Sequence, residues 1–567
     1  MSDGGQASRR AQGMQLSDAL GTTQASATHC ITSKCTGIDS RTSSIISLLL
    51  SLILLTAFLP GCANRLPRVP RVDWRPTVAH QESGLQRFVK NSGVPAETSG
   101  FWPMPQGAHA LDARLNLLRQ AEHSLDLQVY LLADDEVGRN VLRELRDAAA
   151  RGVRVRLLLD DFYTTDTEKY LLGLQTYPNV EIRLFNPFST GRQNPLGRGL
   201  NLMGEFSRLN RRMHNKLLVA DKALAIAGGR NLANEYFGKN SDYNFIDTDL
   251  LVAGALVTQL TDIFERYWNS DHVIPIQLFH HESDTFSQER SAVDERLSNP
   301  TLTPVFEPVQ EPDLYGQPPL SHALVQGQHR FIHAQATAIA DPPEKARGLG
   351  EAEGVAFSST LTANYIETLR RARQEIFIYT PYFIPGKKGV ERLHESRLKG
   401  VDIKVVTNAM STSDEPLVSM AYSHYRPDLL RIGVQLFELS SARTSRDSLI
   451  NKAFRRSKAR LHAKMAFLDR RIVLIGSMNM DFRSAFQNTE MGIGIDSPEL
   501  ARMLMETYRA DHFPGAYKVS FNGQSGSLYW TGEGDEDGTV HPSEPEVGVL
   551  QKLKLWLQML LVPEELL

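Results

Sequence analysis

Apolar residues in this chain alternate between helical and strand-like spacing in two long stretches that resemble each other. The stretch "ALDARLNLLRQAEHSLDLQVYLL", which starts at Ala110, predicts a helix followed by a buried strand. The stretch "LTANYIETLRRARQEIFIYTPYF", which starts at Leu361, predicts the same two elements, and another helical pattern follows each stretch. Strands that alternate with helices in this way predict an α/β fold in two units with mainly parallel central sheets.

A second pattern combines an alternating strand signal with His, Lys and Asp residues. It reads "RMHNKLLVADKALAIAGGRN" from Arg212 to Asn231 and recurs as "RLHAKMAFLDRRIVLIGSMN" from Arg460 to Asn479. The members of each matched pair lie 248 residues apart, and the pairs are His214 and His462, Lys216 and Lys464, Asp221 and Asp469, Gly228 and Gly476, Gly229 and Ser477, and Asn231 and Asn479. A repeat of this length indicates a duplicated domain rather than a solenoid.

The repeated side chains predict one active site that the two halves share. Successive side chains of a strand point to opposite faces, so His214 and Lys216 share one face, as do His462 and Lys464. A duplicated core does not by itself require duplicated His and Lys residues. Two half-sites that face each other across a pseudo-two-fold axis explain both the repeat and the duplicated side chains. We therefore predict a composite active site at the interface of two α/β domains.

Two His and two Lys side chains at one site suit a two-step displacement at a phosphodiester. One imidazole attacks as a nucleophile while the other donates a proton to the leaving group, and acid and base exchange roles in the second step. The lysine ammonium groups bring positive charge to the anionic centre without a metal ion. Asn231 and Asn479, with backbone N–H groups near Gly229 and Ser477, are expected to bind the substrate oxygens.

The motif HxKxxxxD followed by GGxN or GSxN, present twice, resembles the phospholipase D superfamily. The resemblance implies two phospholipase D-type domains, a covalent phosphohistidine intermediate, and no metal or other cofactor. It implies that His214 is the nucleophile and His462 the general acid, although the symmetric motifs leave this order open. It also implies that Asp221 and Asp469 are more often structural partners that brace the site than proton carriers.

A carboxylate normally orients each catalytic histidine in this superfamily. In the second half, "NTE" puts Glu490 at the usual position. In the first half, "FIDTDLLV" offers Asp247 and Asp249 on one face of a strand, and we favour Asp247. Solvated acids at the end of a strand are the alternative interpretation of these two residues.

Longer stretches resemble the C-type bacterial cardiolipin synthases. They include "LFNPFS" from Leu184, "SRLNRRMHNK", "GGRNLANEYFG", "NTEMGIGI" and the terminal "LWLQMLLVPEELL", so the resemblance covers most of the chain from residue 85 onwards. It implies transfer of a phosphatidyl group from one phospholipid onto phosphatidylglycerol at a membrane surface, with phosphatidylethanolamine as one possible second substrate. The alternatives are a phospholipase D that releases phosphatidic acid, an exported nuclease of the same superfamily, and a non-catalytic lipid-binding module.

The N-terminal region predicts an export signal. The apolar stretch from Ser44 to Phe58 is shorter than the ~20 residues of a membrane-spanning helix, Arg41 precedes it, and "LPGC" follows it and ends at Cys62. "LPGC" resembles a bacterial lipobox in which Pro60 is unusual, and this resemblance implies lipidation of Cys62; a signal anchor with an incidental Cys is the alternative. We therefore expect a lipid anchor in the bacterial cell envelope, with the catalytic domain on the periplasmic side.

Composition and the remaining patterns complete the predicted organisation. The net charge of −3 over 567 residues gives no basic field, which argues against a nucleic-acid partner. After export only Cys62 of the three cysteines remains, which excludes an internal disulfide. The apolar segment from Val549 to Leu561 predicts a C-terminal helix that packs on the second half or lies in a membrane interface.

The arginines just before the first motif are expected to contact lipid head groups or to lie in a solvated loop, and they are Arg192, Arg198, Arg208, Arg211 and Arg212. The predicted order along the chain is the export signal at 1–62, a linker at 63–84, the first phospholipase D-like half at 85–279, a linker or insertion at 280–354, and the second half with the C-terminal helix at 355–567.

Overall fold

A computed structural model of the protein describes residues 81–189, 191–192, 194–280, 285–350, 354–444, 458–508, 513, 515–532 and 539–567. The predicted export signal, Cys62 and most of the first linker lie outside the described residues, so these remain predictions. Within the described part of the chain, no helix is both long enough and apolar enough to cross a membrane.

Strands and helices alternate through the first part of each half, as the sequence predicts, and each half then continues with four successive strands. The strands are β1 (Ser99–Met104), β2 (Ser124–Val129), β3 (Arg154–Asp160), β4 (Val180–Phe185), β5 (Leu217–Ala220), β6 (Leu224–Gly228), β7 (Tyr243–Ile246), β8 (Asp249–Gly254), β9 (Val273–Pro275), β10 (Ile332–Ala340), β11 (Glu375–Tyr379), β12 (Asp402–Asn408), β13 (Gln435–Leu439), β14 (Lys458–Leu461), β15 (Met465–Leu468), β16 (Ile472–Gly476), β17 (Met491–Asp496), β18 (Ala516–Phe521), β19 (Leu528–Gly532) and β20 (Val540–His541). The α-helices span Gly84–Asn91, Gly107–Gln120, Glu136–Ala150, Glu168–Gln175, Pro195–Leu209, Ala255–Trp268, Thr285–Ser298, Leu320–Gln326, Leu361–Leu369, Gly386–Leu398, Pro416–Ser423, Arg426–Arg431, Ser441–Thr444, Pro498–Thr507 and Val549–Met559.

The first half forms a mixed sheet in the order β9-β4-β3-β2-β5-β6-β8-β1. Parallel pairing is confined to the three strands β2, β3 and β4, and every other neighbouring pair in this order is antiparallel. The α/β fold is thus confirmed, but the sheet is mixed where the sequence pattern suggested mainly parallel strands.

The second half repeats this arrangement in the order β10-β17-β16-β15-β11-β12-β13-β18-β19-β20. Its parallel pairs are again limited to three strands, β11, β12 and β13. Strand β10 lies inside the segment predicted as a linker or insertion, yet it pairs with β17 as β1 pairs with β8. Because β10 also pairs with β1, the two sheets join into one sheet of 18 strands.

The tight turn in each motif explains the antiparallel pairing. Asp221 and Lys222 have φ angles of 50° and 53° between β5 and β6, and Asp469 and Arg470 have 52° each between β15 and β16. Consecutive residues with positive φ form the hairpin turn that matches the twist of antiparallel strands. Parallel strands would need a crossover of a dozen or more residues, which these short connections exclude.

A two-stranded sheet crosses between the halves and positions the site. Strand β14 of the second half pairs in parallel with β7 of the first half, and Leu461 lies opposite Ile246. A matching parallel bridge joins Met213 of the first half to Thr489 of the second half. These crossings bring the residues that follow them, His462 and His214, next to backbone of the opposite half.

Candidate active site

Each motif histidine is hydrogen-bonded to a carboxylate of the other half. His214 Nδ1 lies 3.1 Å from Oε2 of Glu490 and 3.2 Å from the carbonyl oxygen of Ser477. His462 Nδ1 lies 2.7 Å from Oδ2 of Asp247. The carboxylates therefore hold each imidazole by Nδ1, which leaves Nε2 as the nitrogen available for chemistry.

Backbone hydrogen bonds support the same crossing. The N–H of His214 donates to the carbonyl of Thr489 at 2.8 Å, and the N–H of His462 donates to the carbonyl of Ile246 at 2.8 Å. Glu490 directly follows Thr489, and Asp247 directly follows Ile246. Each histidine and its carboxylate thus sit at the ends of paired segments from opposite halves.

The two carboxylates occupy equivalent places in the two sheets. Gly228 lies opposite Asp249 in one half, and Gly476 lies opposite Gly492 in the other. In this register Asp247 corresponds to Glu490, 243 residues along the chain rather than 248. Asp249, the other sequence candidate, contacts no histidine in the described residues and is held instead by Arg114 and Arg230.

Among their matched pairs the two motifs differ at one position, which is Gly229 in the first and Ser477 in the second. Each of these residues suits the carboxylate that lies beside it. A β-carbon added at Gly229 would lie 2.4 Å from an Asp247 oxygen, so only glycine leaves room for that carboxylate. Ser477, at the equivalent place, donates its hydroxyl to Oε2 of Glu490 at 2.5 Å. Gly229 and Ser477, which we expected to bind substrate, therefore contact the histidine-orienting carboxylates.

The two lysines are buried beside the histidines. Nζ of Lys216 donates to the carbonyl of His214 at 2.6 Å, and Nζ of Lys464 donates to the carbonyl of His462 at 2.5 Å. Burial lowers the pKa of Lys216 to about 7 and that of Lys464 to about 8. Burial disfavours the charged form of both lysines. An anion bound beside them would offset part of this effect, because it favours the charged ammonium form.

The histidines belong to one electrostatic environment. Burial lowers the pKa of His214 below its ordinary value, while Glu490 opposes this and both lysines add to it. Burial lowers the pKa of His462 well below its ordinary value, and Lys464, Lys216 and His214 lower it further. Since each histidine responds to the lysine of the other half, the geometry brings both motifs into a single site.

The motif aspartates lie at the far ends of the motif strands. Asp221 accepts hydrogen bonds of 2.8–3.0 Å from the backbone N–H groups of residues 122–124, which lead into β2. Asp469 accepts equivalent bonds of 2.8–3.0 Å from residues 373–375, which lead into β11. Neither carboxylate forms a hydrogen bond to a motif His or Lys in the described residues, and the bracing role of the two aspartates stays a prediction.

The two motif asparagines each keep one polar atom free. Nδ2 of Asn231 donates to the hydroxyl of Tyr236 at 2.8 Å, while the buried Oδ1 of Asn231 and of Asn479 have no hydrogen-bond partner among the described residues. Buried polar atoms without partners are rare in folded proteins. Their substrate-binding role stays a prediction. No cluster of three or more His, Cys, Asp or Glu residues suited to a metal ion occurs in the described ranges.

Sequence reasoning missed a pair of residues that hold the histidine segments. Asp160 accepts from the backbone N–H of Met213 at 2.8 Å, and Asn408, 248 residues later, accepts from the N–H of Leu461 at 2.8 Å. Burial raises the pKa of Asp160 to about 6. The signal was present, because the two residues occupy the same place in the repeated "RLLLDD" and "KVVTNA" stretches.

Two of the arginines before the first motif form buried ion pairs. Arg212 contacts Asp160 at 3.0 Å, and Arg192 contacts Asp161 at 2.6 Å and Glu168 at 2.8 Å, all with buried side chains. Lipid contact and a solvated loop are therefore both wrong for these two. Buried arginines are paired because an isolated buried charge is too costly.

Comparisons with known proteins agree with this geometry. The family model described as "Cardiolipin synthase, PLD-like domain" matches residues 115–268 and 365–511. Cardiolipin synthase C of Escherichia coli (strain K12) is 34% identical over 469 residues, covering 82% of this chain and 96% of that protein. A cardiolipin synthase of Geobacillus kaustophilus (strain HTA426) is 26% identical over 79% of this chain and 72% of its own length.

Among solved structures, a phosphatidylserine synthase of Haemophilus influenzae Rd KW20 is similar at a TM-score of 0.48 and 14% identity, over 76% of this chain and 90% of that one. The family model covers more than half of the chain, once in each half, and the Escherichia coli relative covers most of it. The chain therefore belongs to the phospholipase D superfamily, in the family of cardiolipin synthase, PLD-like domains.

Proposed function

We propose that the protein is a phosphatidyltransferase that makes cardiolipin from phosphatidylglycerol and a second phospholipid through a covalent phosphohistidine. The observation that carries this proposal is the pair of crossed contacts, Glu490 with His214 and Asp247 with His462. Two imidazoles held by Nδ1 in one pocket with two lysines provide a nucleophile, a proton donor and positive charge. The names of the relatives supply the substrate class.

In the first step, Nε2 of His214 attacks the phosphorus of the donor lipid. Nδ1–H of His214 remains bonded to Glu490, whose pKa the imidazole and Lys216 hold below its ordinary value, so the carboxylate is ionised and stabilises the developing imidazolium. The bond from phosphorus to the leaving alkoxide breaks, and His462 gives that oxygen a proton from Nε2. The phosphatidyl group is now bonded to His214.

In the second step, the roles of acid and base reverse. Neutral His462 takes the proton from a hydroxyl of phosphatidylglycerol, whose oxygen attacks the phosphorus and displaces His214. The product carries two phosphatidyl groups on one glycerol, and His462 is protonated again. If water took the place of the acceptor, the product would be phosphatidic acid, which is the hydrolase alternative.

The lysines and the asparagines complete this chemistry. A phosphodiester carries a negative charge that favours protonated Lys216, Lys464 and His462, against the burial that lowers their pKa values in the free protein. The proton that His462 donates is therefore best held when the substrate is bound. The free Oδ1 atoms of the two asparagines accept hydrogen bonds, so they suit the hydroxyl of an acceptor lipid rather than the phosphate oxygens.

Membrane contact is part of the proposal, and the C-terminal helix supports it. The helix Val549–Met559 packs against the helix Pro416–Ser423 and buries Leu555. Most of its other apolar side chains remain on the surface, for example Leu550 at 82% and Trp556 at 50% exposure. An amphipathic helix with exposed Leu and Trp is suited to the interface of a bilayer.

The function is tested by product analysis. Purified protein receives phosphatidylglycerol in vesicles, with and without phosphatidylethanolamine, and the lipids are identified by mass; we expect cardiolipin, with a rate that EDTA leaves unchanged. Phosphatidic acid as the sole product would contradict the transferase and support the hydrolase. Cleavage of a nucleic acid in place of lipid would support the nuclease alternative.

The order of the histidines is tested by trapping the intermediate. With a donor whose leaving group needs no proton, His462→Ala should accumulate a phosphoenzyme, while His214→Ala should form none. Peptide mapping by mass spectrometry then locates the adduct. An adduct on His462 would reverse the assignment, and full activity of either variant would refute the shared site.

We also propose that Cys62 is lipidated and anchors the catalytic domain on the periplasmic side of the cell envelope. The support is the apolar segment followed by "LPGC". Cys62→Ala should yield an unlipidated precursor, seen by mass spectrometry of the intact protein. A mature N-terminus at any residue other than Cys62 would contradict this proposal.

A further inference from the structure

The second half contains a cavity beside its motif that the catalytic residues do not fill. Its volume of about 570 Å³ lies in the range typical of small-molecule sites. Its walls are the helices Leu361–Leu369 and Gly386–Leu398, strand β11, and the segment from Met478 to Phe486. We call this space the second-half cavity.

Apolar side chains make up most of the wall of the second-half cavity. Ile366 and Leu369 reach it from one helix and Leu393 from the other, with Phe482 and Phe486 on the third side. Phe486 is 44% exposed, so the cavity extends to the protein surface. Such a space favours a long hydrocarbon group, because withdrawing each methylene from water is favourable.

Two lysines give the same cavity a positive edge. Lys387 and Lys388 line it from the first turn of the helix Gly386–Leu398, and both are exposed. Neither forms an ion pair with any carboxylate in the described ranges, so their charges remain available for a ligand. An apolar wall next to free positive charge complements a molecule with a hydrocarbon chain and an anionic head.

The second-half cavity also reaches the surroundings of the catalytic groups. Asn479 and Asp481, which belong to the second motif segment, line it. Asn479 lies two residues after Ser477, which donates its hydroxyl to Glu490, the carboxylate hydrogen-bonded to His214. The inner end of the cavity is therefore adjacent to the segment that holds the first catalytic histidine.

The equivalent space in the first half is closed. There the helices Gly107–Gln120 and Glu136–Ala150 pack directly against each other. Arg230 fills the place that Met478 takes 248 residues later, and Asp249 fills the place of Gly492. The residues beside the second-half cavity thus differ from those at the equivalent place in the first half.

We infer that the second-half cavity binds one fatty acyl chain of an anionic phospholipid whose phosphate lies at the catalytic histidines. This inference rests on the proposed function for the position of the phosphate, and it adds the recognition of the chain. Lys387 and Lys388 attract the negative head-group region, while Ile366, Leu369 and Leu393 surround the hydrocarbon. Chain length then contributes to affinity as long as the added methylenes enter the cavity.

The first test is photochemical labelling of the full-length His214→Ala variant, which binds without turnover. The probe is phosphatidylglycerol with a diazirine in one acyl chain, presented in phosphatidylcholine vesicles. We expect adducts on residues 361–369 and 386–393, displaced by unlabelled phosphatidylglycerol. Labelling of other segments alone, or labelling that a free fatty acid displaces equally well, would overturn the inference.

The second test compares Leu393→Trp with Leu398→Trp on the same helix. Leu393 lines the cavity, whereas Leu398 is 76% exposed and does not. For the native protein and Leu398→Trp, each added methylene should lower KM for soluble short-chain phosphatidylglycerols about fourfold. Leu393→Trp should lose this dependence, and an unchanged dependence would overturn the inference.

A charge variant keeps the test valid if Leu393→Trp folds poorly. Lys387→Glu combined with Lys388→Glu changes only exposed residues and should raise KM for phosphatidylglycerol about tenfold with kcat unchanged. Lys399→Glu, exposed at the other end of the helix, is the control and should change neither constant. The inference would be overturned if the double variant and the Lys399→Glu control had equal KM values. Cardiolipin formation by the native protein without labelling of the cavity would refute the acyl site alone. Labelling of the cavity without cardiolipin formation by the native protein would refute the proposed function alone.

Discussion

The two halves carry the same catalytic groups, yet they surround them with different walls. Beside the first motif, Asp249 is buried between Arg114 at 2.9 Å and Arg230 at 3.0 Å. Beside the second motif, Gly492 stands in the place of Asp249, Met478 in that of Arg230, and the second-half cavity lies next to them. One half therefore has a buried ion-pair network at the place where the other has glycine and methionine beside a cavity.

This difference shows which features the shared chemistry requires. Both halves keep the histidine, the lysine and a carboxylate for the opposite half, and the mechanism that we propose accounts for this because each of its displacement steps uses both imidazoles. The proposed mechanism places no such requirement on the walls, which are therefore free to differ. A duplicated fold can thus supply a symmetric centre for the reaction and an asymmetric surface for recognition of a lipid.

The histidine environments differ as well. Nδ1 of His214 faces Glu490 and a carbonyl, whereas Nδ1 of His462 faces Asp247 at 2.7 Å and Nζ of Lys464 at 2.9 Å. The nearby ammonium group helps to lower the pKa of His462. The pKa of His462 is therefore lowered further than that of His214.

The largest effect is expected from the crossed carboxylates. Glu490→Gln and Asp247→Asn should each lower kcat on the order of 10⁴-fold, because an amide no longer fixes the tautomer of the histidine. With a donor whose leaving group needs no proton, Asp247→Asn should regain phosphoenzyme formation and Glu490→Gln should not. Reactions that are quenched at defined times and analysed by mass spectrometry give the rate of phosphoenzyme formation in both variants.

The control for these two variants is Glu499→Gln, an exposed acid of the second half that should leave activity unchanged. The crossed geometry would be contradicted if Glu490→Gln impaired proton delivery by His462 while sparing attack by His214. Native activity of either variant would show that the observed contacts at 3.1 and 2.7 Å do not orient the histidines.

The next effect concerns stability and the closed wall. Asp249→Ala leaves Arg114 and Arg230 buried without their carboxylate, which should lower the free energy of unfolding by about 3–5 kcal/mol. Gly492→Ala, at the equivalent place, adds a methyl group 3.3 Å from the ring of Tyr365 and should cost less than about 1 kcal/mol. Urea unfolding followed by circular dichroism compares the two; similar losses would contradict the difference between the walls.

Much of the centre could be predicted from the sequence because its residues recur at a fixed interval. His214, Lys216, His462 and Lys464 come together as the composite site requires. The crossing of the carboxylates could not be predicted, since periodicity within one half carries no information about pairing between halves. The interval also changes between Asn231 and Asp247, where the first half has five additional residues relative to the second.

The limits of the fold prediction have local causes too. Hairpins such as that at Asp221 are normally recognised by Asn-Gly or Asp-Gly, and the chain has Asp-Lys and Asp-Arg there instead. The antiparallel strands were therefore not apparent. The second-half cavity is enclosed by segments that are distant in sequence, among them 361–369, 386–398 and 478–486, and no local pattern reports how they pack.

A moderate effect is expected at the glycine and serine that distinguish the motifs. Gly229→Ala pushes a β-carbon against the Asp247 carboxylate, so that Asp247 must move away from His462; kcat should fall about 10–100-fold. Ser477→Gly removes one hydrogen bond to Glu490 but introduces no clash, and it should cost tenfold or less. Steady-state transfer rates decide the order, and a larger loss for Ser477→Gly would contradict the packing argument.

The smallest expected effect is a shift in the pH dependence of kcat/KM when a carboxylate near Lys464 is removed. Burial lowers the pKa of Lys464 to about 8, and Asp414 opposes this shift. A lowered pKa means that the charged ammonium is lost at a lower pH than usual, so kcat/KM should fall as the pH rises through 7 to 8, the values of Lys216 and Lys464. Asp414→Asn removes the opposing carboxylate and should move this alkaline limb to lower pH by less than about one unit. The profile is measured with a soluble short-chain phosphatidylglycerol, and Asp428→Asn, an exposed acid, is the control. A limb that moves to higher pH in Asp414→Asn would show that Asp414 does not stabilise the charge of Lys464.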